Sequence, residues 1–478
     1  MEPKDNRLAP GPRWVLALTS AVSFMVSLDT QVVATALPVI RLRLHASLGA
    51  LEWTVNAYTL SFAVLLLTGA AVGERLGRRR MLATGVGLFT AASAACALAP
   101  NAGALIAARA LQGAGAALML PLALAALSAA FPPHRRAWAL GIFSSVTGIA
   151  VLAGPVVGGA VTQGLAWPWI FWLNVPIGMV MIPLILTRMT ATAATHAKLD
   201  PIGLLLATGG ALGLVWALIR ANSLGWASPE IIATLATGAL LGTAFVAWEL
   251  RTSHPMMPVR LFGQRSFAAG NAAAFTVFAM LLALVFFMAQ FLQTALGYDP
   301  LGTGLRLLPG WATLTLIAPF AGALIARVGE RPLITGGLTL AATGLVWIAL
   351  IARPGLPYAQ LVAPLVIAGS GASVAIPATM SAVMTSVPAN AIGQASGTLN
   401  MLRQLGGVIG IAICAAVFAA RGGYASPAAF TSGFGPAMGA CAGLALLGAV
   451  AGLIIPAKRR PAPAPQTQPS PKLLEIGS

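Results

Sequence analysis

The sequence predicts an all-α membrane protein with 14 transmembrane helices, arranged as two six-helix halves and an inserted two-helix hairpin. Three observations support this fold class. The 478 residues are 58% apolar and only 8% charged, whereas a soluble domain carries about 25% charged residues. Uncharged runs long enough to cross the hydrocarbon core, about 20 residues each, recur along the chain. Short motifs also repeat 252 positions apart.

The uncharged runs place the spans in order. Residues 137–187 carry no charge and hold two spans separated by a turn at 163–168. Residues 354–402 also hold two spans, separated at 387–390 where proline breaks the pattern. The predicted spans lie near residues 14–38, 50–72, 81–99, 104–128, 137–161, 169–187, 201–220, 230–249, 267–293, 303–326, 333–352, 357–386, 391–420 and 435–456.

The basic residues predict the orientation of these spans. With the N-terminus inside, 20 of the 28 Lys and Arg residues fall in the tails and loops on that side, and five fall in the opposite loops. This asymmetry predicts a multi-pass membrane protein with both termini in the cytoplasm. It also accounts for the net charge of +17 without a nucleic-acid partner. The excess of arginine over lysine and the abundance of alanine suggest a bacterial source, and the predicted location is therefore the bacterial inner (cytoplasmic) membrane. The first span is predicted to be retained because no cleavage site follows it.

An internal repeat predicts the domain organisation. The segment ERLG at residues 74–77 follows the second span, and the similar segment ARVG at residues 326–329 follows the tenth. At the same offset of 252 positions, the GxxxG pattern at 154–158 matches the one at 406–410. Duplicated six-helix halves with a site at their interface are typical of secondary transporters. The predicted units are an N-terminal half at 1–187, an inserted hairpin with linkers at 188–250, a C-terminal half at 251–456 and a disordered cytoplasmic tail at 457–478.

Two charges deep within spans are the first candidates for function. Asp29 lies nine residues from Pro38, hence about 14 Å from the predicted outer end of its span. Arg109 lies one to two turns inside the fourth span. Because a charge at the bilayer centre costs roughly 2.5–3.5 kcal/mol, such residues are functional candidates. Asp29 could change protonation as the protein opens to either side, or it could form a permanent ion pair with Arg109 that only braces the bundle.

Other polar and aromatic residues are candidates for a substrate cavity. In the thirteenth span, Arg403 forms a polar stripe with two neighbours, which either lines a cavity or joins two helices. Arg306 lies close enough to an interface to extend its charge to water. Aromatic residues could form a cavity wall, although contact with lipid or packing is equally expected of them. The candidates are Gln31, Glu52, Trp53, Tyr58, Gln112, Phe275, Phe278, Gln290, Trp311, Asn400, Arg403 and Gln404.

Glycines in the fifth span suggest a moving contact. Gly154, Gly158 and Gly159 allow a neighbouring helix to approach closely, and Pro155 removes a backbone hydrogen bond and bends the helix. Such a helix could only pack, or it could seal against its counterpart in the other half when the cavity faces inward.

These segments together resemble the major facilitator superfamily, in particular its 14-helix drug:proton antiporter branch (EmrB/QacA type). Residues 28–38 resemble the first-helix signature LDxTxVxxALP of that branch, with Gln31 where threonine is usual. The resemblance implies proton-driven export of lipophilic small molecules by alternating access, with Asp29 and Arg109 in proton coupling. Further similar segments are 109–115, 148–159, 169–178, 297–298, 308–309 and 403–407.

Two departures from the family pattern stand out. The loop after the second span usually reads GxLaDRxGRR, and here it reads AAVGERLGRR at residues 70–79, with Glu74 in place of aspartate beside Arg75, Gly77 and Arg78. The resemblance implies that this loop latches the cytoplasmic side, and the longer carboxylate could weaken that latch. Leu281, which stands 252 positions after Asp29, is neutral, and divalent cations are therefore not expected as substrates.

The sequence thus predicts a transporter and not an enzyme. We expect no catalytic residues, no metal and no bound cofactor, since the proton gradient supplies the energy. The expected partners are a small lipophilic substrate and membrane lipid, without nucleic acid, and the expected state is a monomer. One alternative is a dedicated exporter of one endogenous metabolite or antibiotic. A lipid-modifying enzyme is a remote alternative, because all four histidines lie in predicted loops, and a sensor without transport is another.

Overall fold

The computed structural model describes residues 10–189, 200–253, 255–388 and 391–456. The predicted tail at 457–478 lies outside these residues. Within them the chain forms long helices joined by short loops. The helices are α1 (Pro10–Leu44), α2 (Leu48–Leu76), α3 (Arg78–Ala97), α4 (Ala102–Ala130), α5 (Pro133–Gly164), α6 (Trp169–Trp172), α7 (Asn174–Arg188), α8 (Pro201–Leu224), α9 (Pro229–Arg251), α10 (Arg265–Thr294), α11 (Pro300–Val328), α12 (Glu330–Ile351), α13 (Ala359–Thr385), α14 (Ile392–Arg421) and α15 (Pro427–Ile454).

The predicted all-α membrane fold is confirmed. Thirteen helical segments are long and apolar enough to cross a membrane, and α6 and α7 together form one of them. The predicted span at 303–326 corresponds to α11, which is 29 residues long. At about 1.5 Å per residue, a helix of that length also exceeds the thickness of the hydrocarbon core. The described helices therefore match the fourteen predicted spans one to one.

Helix ends at proline differ from the prediction. The predicted first span ends at Pro38, but α1 continues through Pro38 to Leu44. Similarly, α15 begins at Pro427, before the predicted residue 435, and contains Pro436. A proline removes only one backbone hydrogen bond from a helix, and neighbouring helices support the bend. Proline is therefore a weaker stop signal here than in a soluble helix.

The two halves share one packing pattern. In the N-terminal half α1 packs against α5, α2 against α4 and α3 against α7, and in the C-terminal half α10 packs against α14, α11 against α13 and α12 against α15. Gly77 after α2 and Gly329 after α11 both have a positive φ, of 97° and 86° respectively. Glycine adopts this conformation without the steric cost that a Cβ brings, so the same residue type ends equivalent helices.

The halves meet along two helix pairs. In one pair α5 packs against α11, and in the other α2 packs against α14. The predicted hairpin, α8 and α9, is joined to this second contact because α8 packs against both α2 and α14. Trp53 on α2 and Trp216 on α8 have ring centroids 5.9 Å apart. The hairpin therefore covers one edge of the contact between the halves.

Polar contacts join the halves at the predicted outer end. Gln293 on α10 donates a hydrogen bond to the carbonyl oxygen of Thr35 on α1 at 2.8 Å. The guanidinium of Arg41 on α1 lies 3.9 Å from the ring centroid of Tyr424, in the loop after α14. Burial raises the pKa of the Tyr424 phenol, which stays protonated. The two halves are thus in contact at this end of the bundle.

Candidate functional site

Asp29 lies near the middle of α1 and is 1% exposed. Its carboxylate contacts Arg109 on α4, with Nη1 of Arg109 2.6 Å from Oδ2 of Asp29. Arg109 is also 1% exposed. The structure thus brings together the two embedded charges that the sequence singled out.

Three donors reach the Asp29 carboxylate. Arg109 donates to Oδ2, Gln112 on α4 donates to Oδ1 from Nε2 at 2.8 Å, and Asn174 on α7 donates to Oδ1 from Nδ2 at 3.0 Å. A buried ion pair is stable only when further hydrogen bonds satisfy its remaining polar atoms. These bonds meet that condition for the ionised carboxylate.

The guanidinium of Arg109 has partners besides the carboxylate. Its Nε donates to the carbonyl oxygen of Thr54 at 3.1 Å, and its Nη1 donates to Oε1 of Gln112 at 2.6 Å. Its Cζ lies 4.2 Å from the ring centroid of Tyr58 on α2, a distance typical of a cation–π interaction. Gly113 allows α2 and α4 to meet here, because a Cβ at that position would overlap the carbonyl oxygen of Tyr58. Arg109 therefore retains polar contacts if Asp29 becomes neutral.

Sequence reasoning did not assign a role to two members of this network. Asn174 is the first residue of α7, after the short helix α6, and its amide reaches Asp29. Ser93 on α3 accepts a hydrogen bond from Nε2 of Gln112 at 2.9 Å. Asn174 is the one amide side chain in the uncharged run 169–187, which is the signal that could have identified it. Nothing distinguishes Ser93 from the other serines in the sequence.

Three predicted cavity residues have other neighbours in this structure. Gln112 is fully buried inside the Asp29 network. Tyr58 covers Arg109 with its ring, and Trp53 packs on the hairpin at Trp216. Helical periodicity places a polar or aromatic residue on a face, but the neighbouring helices decide whether that face meets a cavity or another side chain. All three of these residues pack against other side chains.

Two more predicted cavity residues lie near the closed outer end. Gln290 on α10 is fully buried and accepts a hydrogen bond from the hydroxyl of Tyr424. Glu52 on α2 is 3% exposed, and its Oε2 has no hydrogen-bond partner among the described residues. Glu52 was a candidate for a cavity wall, but in this structure its side chain is buried.

The polar stripe on α14 is more accessible. Asn400, Arg403 and Gln404 are each half-buried. The Cζ of Arg403 lies 4.0 Å from the ring centroid of Phe278 on α10. Among the described residues, the ion pairs involve Arg78, Arg109 and Arg220, and Arg403 has no carboxylate within 4.0 Å. Arg403 is thus a cation without an acidic partner in the described part of the chain.

A small apolar pocket, with a volume of about 30 Å³, lies in the C-terminal half. Its walls come from α10, α11 and α13 and include the predicted aromatic residue Trp311. Leu281 and Val285 of α10 line it on the face that also carries Phe278, at helical spacings of three and seven residues. The other lining residues are Leu284, Met288, Leu307, Gly310, Leu314, Leu365 and Gly369.

The glycines of α5 divide between two contacts. Gly154 and Gly158 face α1 of the same half, where a Cβ would overlap Gln31 or Thr35 respectively. Gly159 faces α11 of the other half, where a Cβ would overlap the carbonyl oxygen of Pro300. Conversely, a Cβ on Gly304 of α11 would overlap the carbonyl oxygen of Pro155. The face carrying Pro155 and Gly159 therefore seals the two halves together.

The loop between α2 and α3 contains a weak ion pair. Nη2 of Arg78 lies 3.6 Å from Oε1 of Glu74, one helical turn away, and both side chains are partly exposed. Exposed pairs of this kind contribute about 0–1 kcal/mol. Arg75 is exposed.

A buried ion pair at the centre of one half, repeated packing in two six-helix halves and a seal between them are features of a secondary transporter. The chain belongs to the Major Facilitator Superfamily, whose family model matches residues 19–411 and 273–475.

Similar proteins of this superfamily include named exporters. The chain is 36% identical to multidrug resistance protein Stp of Mycobacterium tuberculosis over 85% of this chain and 75% of the relative. It is 34% identical to the tetracenomycin C resistance and export protein of Streptomyces glaucescens over 87% and 78% of the two chains. It is 33% identical to the cephamycin export protein CmcT of Amycolatopsis lactamdurans over 94% and 93%.

Solved structures share the fold. The peptide transporter POT in complex with sulfate has a TM-score of 0.68 at 17% identity, with 92% of this chain and 93% of that chain covered. The POT family transporter PepTSo has a TM-score of 0.70 at 15% identity, with coverage of 93% and 97%.

Proposed function

We propose that this protein exports lipophilic small molecules, including drugs or antibiotics, from the cytoplasm in exchange for protons. It lies in the bacterial cytoplasmic membrane with both termini in the cytoplasm, acts as a monomer and needs no bound cofactor. It contacts membrane lipid but no nucleic acid, and it is not an enzyme. The names of its relatives support drug and antibiotic export. The observation that carries the proton coupling is the buried Asp29 carboxylate, which is held by Arg109 near the middle of α1.

The proposed cycle uses the charge of Asp29 as a switch. The contacts at the outer end correspond to the state that is open to the cytoplasm. When Asp29 binds a proton, the attraction between Asp29 and Arg109 is lost, while Arg109 keeps the carbonyl of Thr54 and the amide of Gln112. α1 and α4 can then separate and move with their partners. Asp29 takes its proton from outside as the substrate leaves and releases it toward the cytoplasm.

The energy available matches this role. A proton-motive force of roughly 170 mV supplies about 4 kcal/mol per proton. That energy supports a substrate gradient on the order of a thousandfold. One exchanged proton per cycle is thus sufficient for export.

Export of a single endogenous metabolite or antibiotic is the second candidate function. One relative, which matches along 94% of this chain and 93% of its own length, is named for export of cephamycin. Biosynthetic genes beside the gene for this protein would favour this candidate, and export of chemically unrelated dyes would contradict it.

Dye efflux from intact cells tests proton coupling. Cells carrying Asp29→Asn should accumulate dye like cells treated with a protonophore, at equal amounts of protein in the membrane. Glu230→Gln is the matched control, because Glu230 forms an exposed pair with Arg220 on the hairpin, and it should export normally. Normal efflux by Asp29→Asn would remove the carboxylate from the coupling scheme and leave the ion pair as a structural brace.

A further inference from the structure

We propose that the substrates of this transporter are amphipathic anions, with an acidic group bound at Arg403 and an apolar body against the neighbouring ring of Phe278. This inference rests on the proposed export function. It assigns a charge class to the substrate, which export alone does not specify.

The geometry places the cation next to an aromatic side chain. The Cζ of Arg403 lies 4.0 Å from the ring centroid of Phe278 on α10, and both side chains are half-buried. A molecule with a flat apolar body and an acidic group at one end could therefore contact the ring and the guanidinium at once.

The charges around the central helices favour an anion. Asp29 is neutralised by Arg109, and Glu52 is buried near the closed outer end. Arg403 is half-buried and has no carboxylate within 4.0 Å among the residues that the structure describes. Removing a charge from water without a partner is costly. A bound anion would compensate for that cost.

The residue type also fits an acidic group. A guanidinium is always protonated and presents N–H groups in a planar fork that matches carboxylate, sulfonate or phosphate oxygens. Asn400 and Gln404 lie on the same stripe at helical spacing and are half-buried. Their amides can donate further hydrogen bonds to such oxygens.

An anionic substrate has an electrical consequence. Exchange of a monovalent anion for a proton moves two net positive charges inward, whereas exchange of a neutral molecule moves one and exchange of a monovalent cation moves none. Each charge contributes roughly a 50-fold factor to the accumulation ratio at 100 mV. A membrane potential alone should therefore drive export of anions more steeply than export of neutral molecules.

Binding to the purified full-length protein in neutral detergent tests the assignment. The anionic probe is 8-anilinonaphthalene-1-sulfonate, and the neutral probe is N-phenyl-1-naphthylamine, which has the same rings without the sulfonate. Equilibrium dialysis should show that Arg403→Gln weakens binding of the anion about tenfold or more, since hydrogen bonds to charged groups contribute about 1.5–3 kcal/mol. Binding of the neutral probe should change little, and Arg403→Lys should retain part of the anion binding.

A second arginine provides a matched control. Arg306 lies over a tyrosine ring, at 3.7 Å from the centroid of Tyr298, but it is on α11 and not on the polar stripe of α14. Arg306→Gln should leave binding of both probes unchanged. Equal loss of both probes in Arg403→Gln, or no preference of the original protein for the sulfonate, would overturn the inference. Because dialysis measures binding directly, a variant that fails to fold is recognised by loss of the neutral probe.

Transport separates this inference from the proposed function. Proteoliposomes containing the full chain receive a potassium diffusion potential or a proton gradient, and movement of each probe is followed. Steeper dependence on potential for the anion than for the neutral probe supports the inference, and equal dependence contradicts it. No movement of either probe under a proton gradient would contradict proton-coupled export, whatever the binding results.

Discussion

Arg109 and Asp29 form an ion pair between α4 and α1 in which Nη1 lies 2.6 Å from Oδ2 and neither side chain is more than 1% exposed. Breaking a buried pair by removing one partner costs about 3–5 kcal/mol, because the other charge is left uncompensated. This pair is therefore both a structural contact and a possible switch. Stability measurements can separate the two roles.

Arg109→Met should destabilise the protein strongly when Asp29 is present. The expected loss is about 3–5 kcal/mol, because the Asp29 carboxylate would keep only the amides of Gln112 and Asn174. In an Asp29→Asn background the same substitution should cost less, since no buried anion remains. Thermal unfolding of the four proteins in detergent measures this double-mutant cycle. Additive effects of the two substitutions would indicate that the pair contributes no coupling energy.

Glu52→Gln should leave the melting temperature unchanged or raise it. Glu52 is buried, its Oε2 has no hydrogen-bond partner in the described part of the chain, and an unpaired buried charge is costly. Glutamine has nearly the same shape without the ionisable group. Asp29→Asn is the informative comparison and should lower the melting temperature, because it removes the partner of Arg109. A marked loss of stability in Glu52→Gln would show that this carboxylate makes a stabilising contact.

Gly159→Ala should slow export by interfering with the seal between the halves. A Cβ at this position would overlap the carbonyl oxygen of Pro300 on α11. Overpacking costs about 1–3 kcal/mol, which disfavours the closed contact by roughly 5- to 150-fold. Initial rates of dye efflux at equal amounts of protein measure the effect.

Gly148→Ala is the control for that substitution. Gly148 lies on the same helix, and a Cβ there would meet no atom of a neighbouring described helix within 4 Å. Both substitutions raise helix propensity by about 1 kcal/mol, so only the steric contact distinguishes them. Equal rates in the two variants would contradict a role for Gly159 in closing the outer end.

The spans could be predicted because crossing a membrane places a requirement on local sequence. An uncharged run of sufficient length must form a helix, since lipid offers no hydrogen bonds to the backbone. The break between α13 and α14 and the turn before α6 follow from proline and polar residues in otherwise apolar runs. Pro38 and Pro436 were less informative, because packed helices tolerate proline.

The candidate site was only partly predictable. Asp29 and Arg109 stand out because a charge in an apolar run is rare. Gln112 and Tyr58 were expected on a cavity wall, but they complete the surroundings of Arg109. Which of several polar residues on a helix meets which partner depends on helices that are distant in sequence. Periodicity within a single span does not contain that information.

The amino-acid sequence by itself indicated the membrane-spanning fold, the approximate number of crossings and the two charges embedded in the bundle, because each depends on composition or spacing along one segment. Only the tertiary structure decided that Glu52 is buried and that Asn174 and Ser93 belong to the Asp29 network. The tertiary structure also decided that Arg403 lacks an acidic partner among the described residues. Burial and pairing are properties of several helices packed together. They depend on contacts between residues far apart in the chain, and local patterns do not specify them.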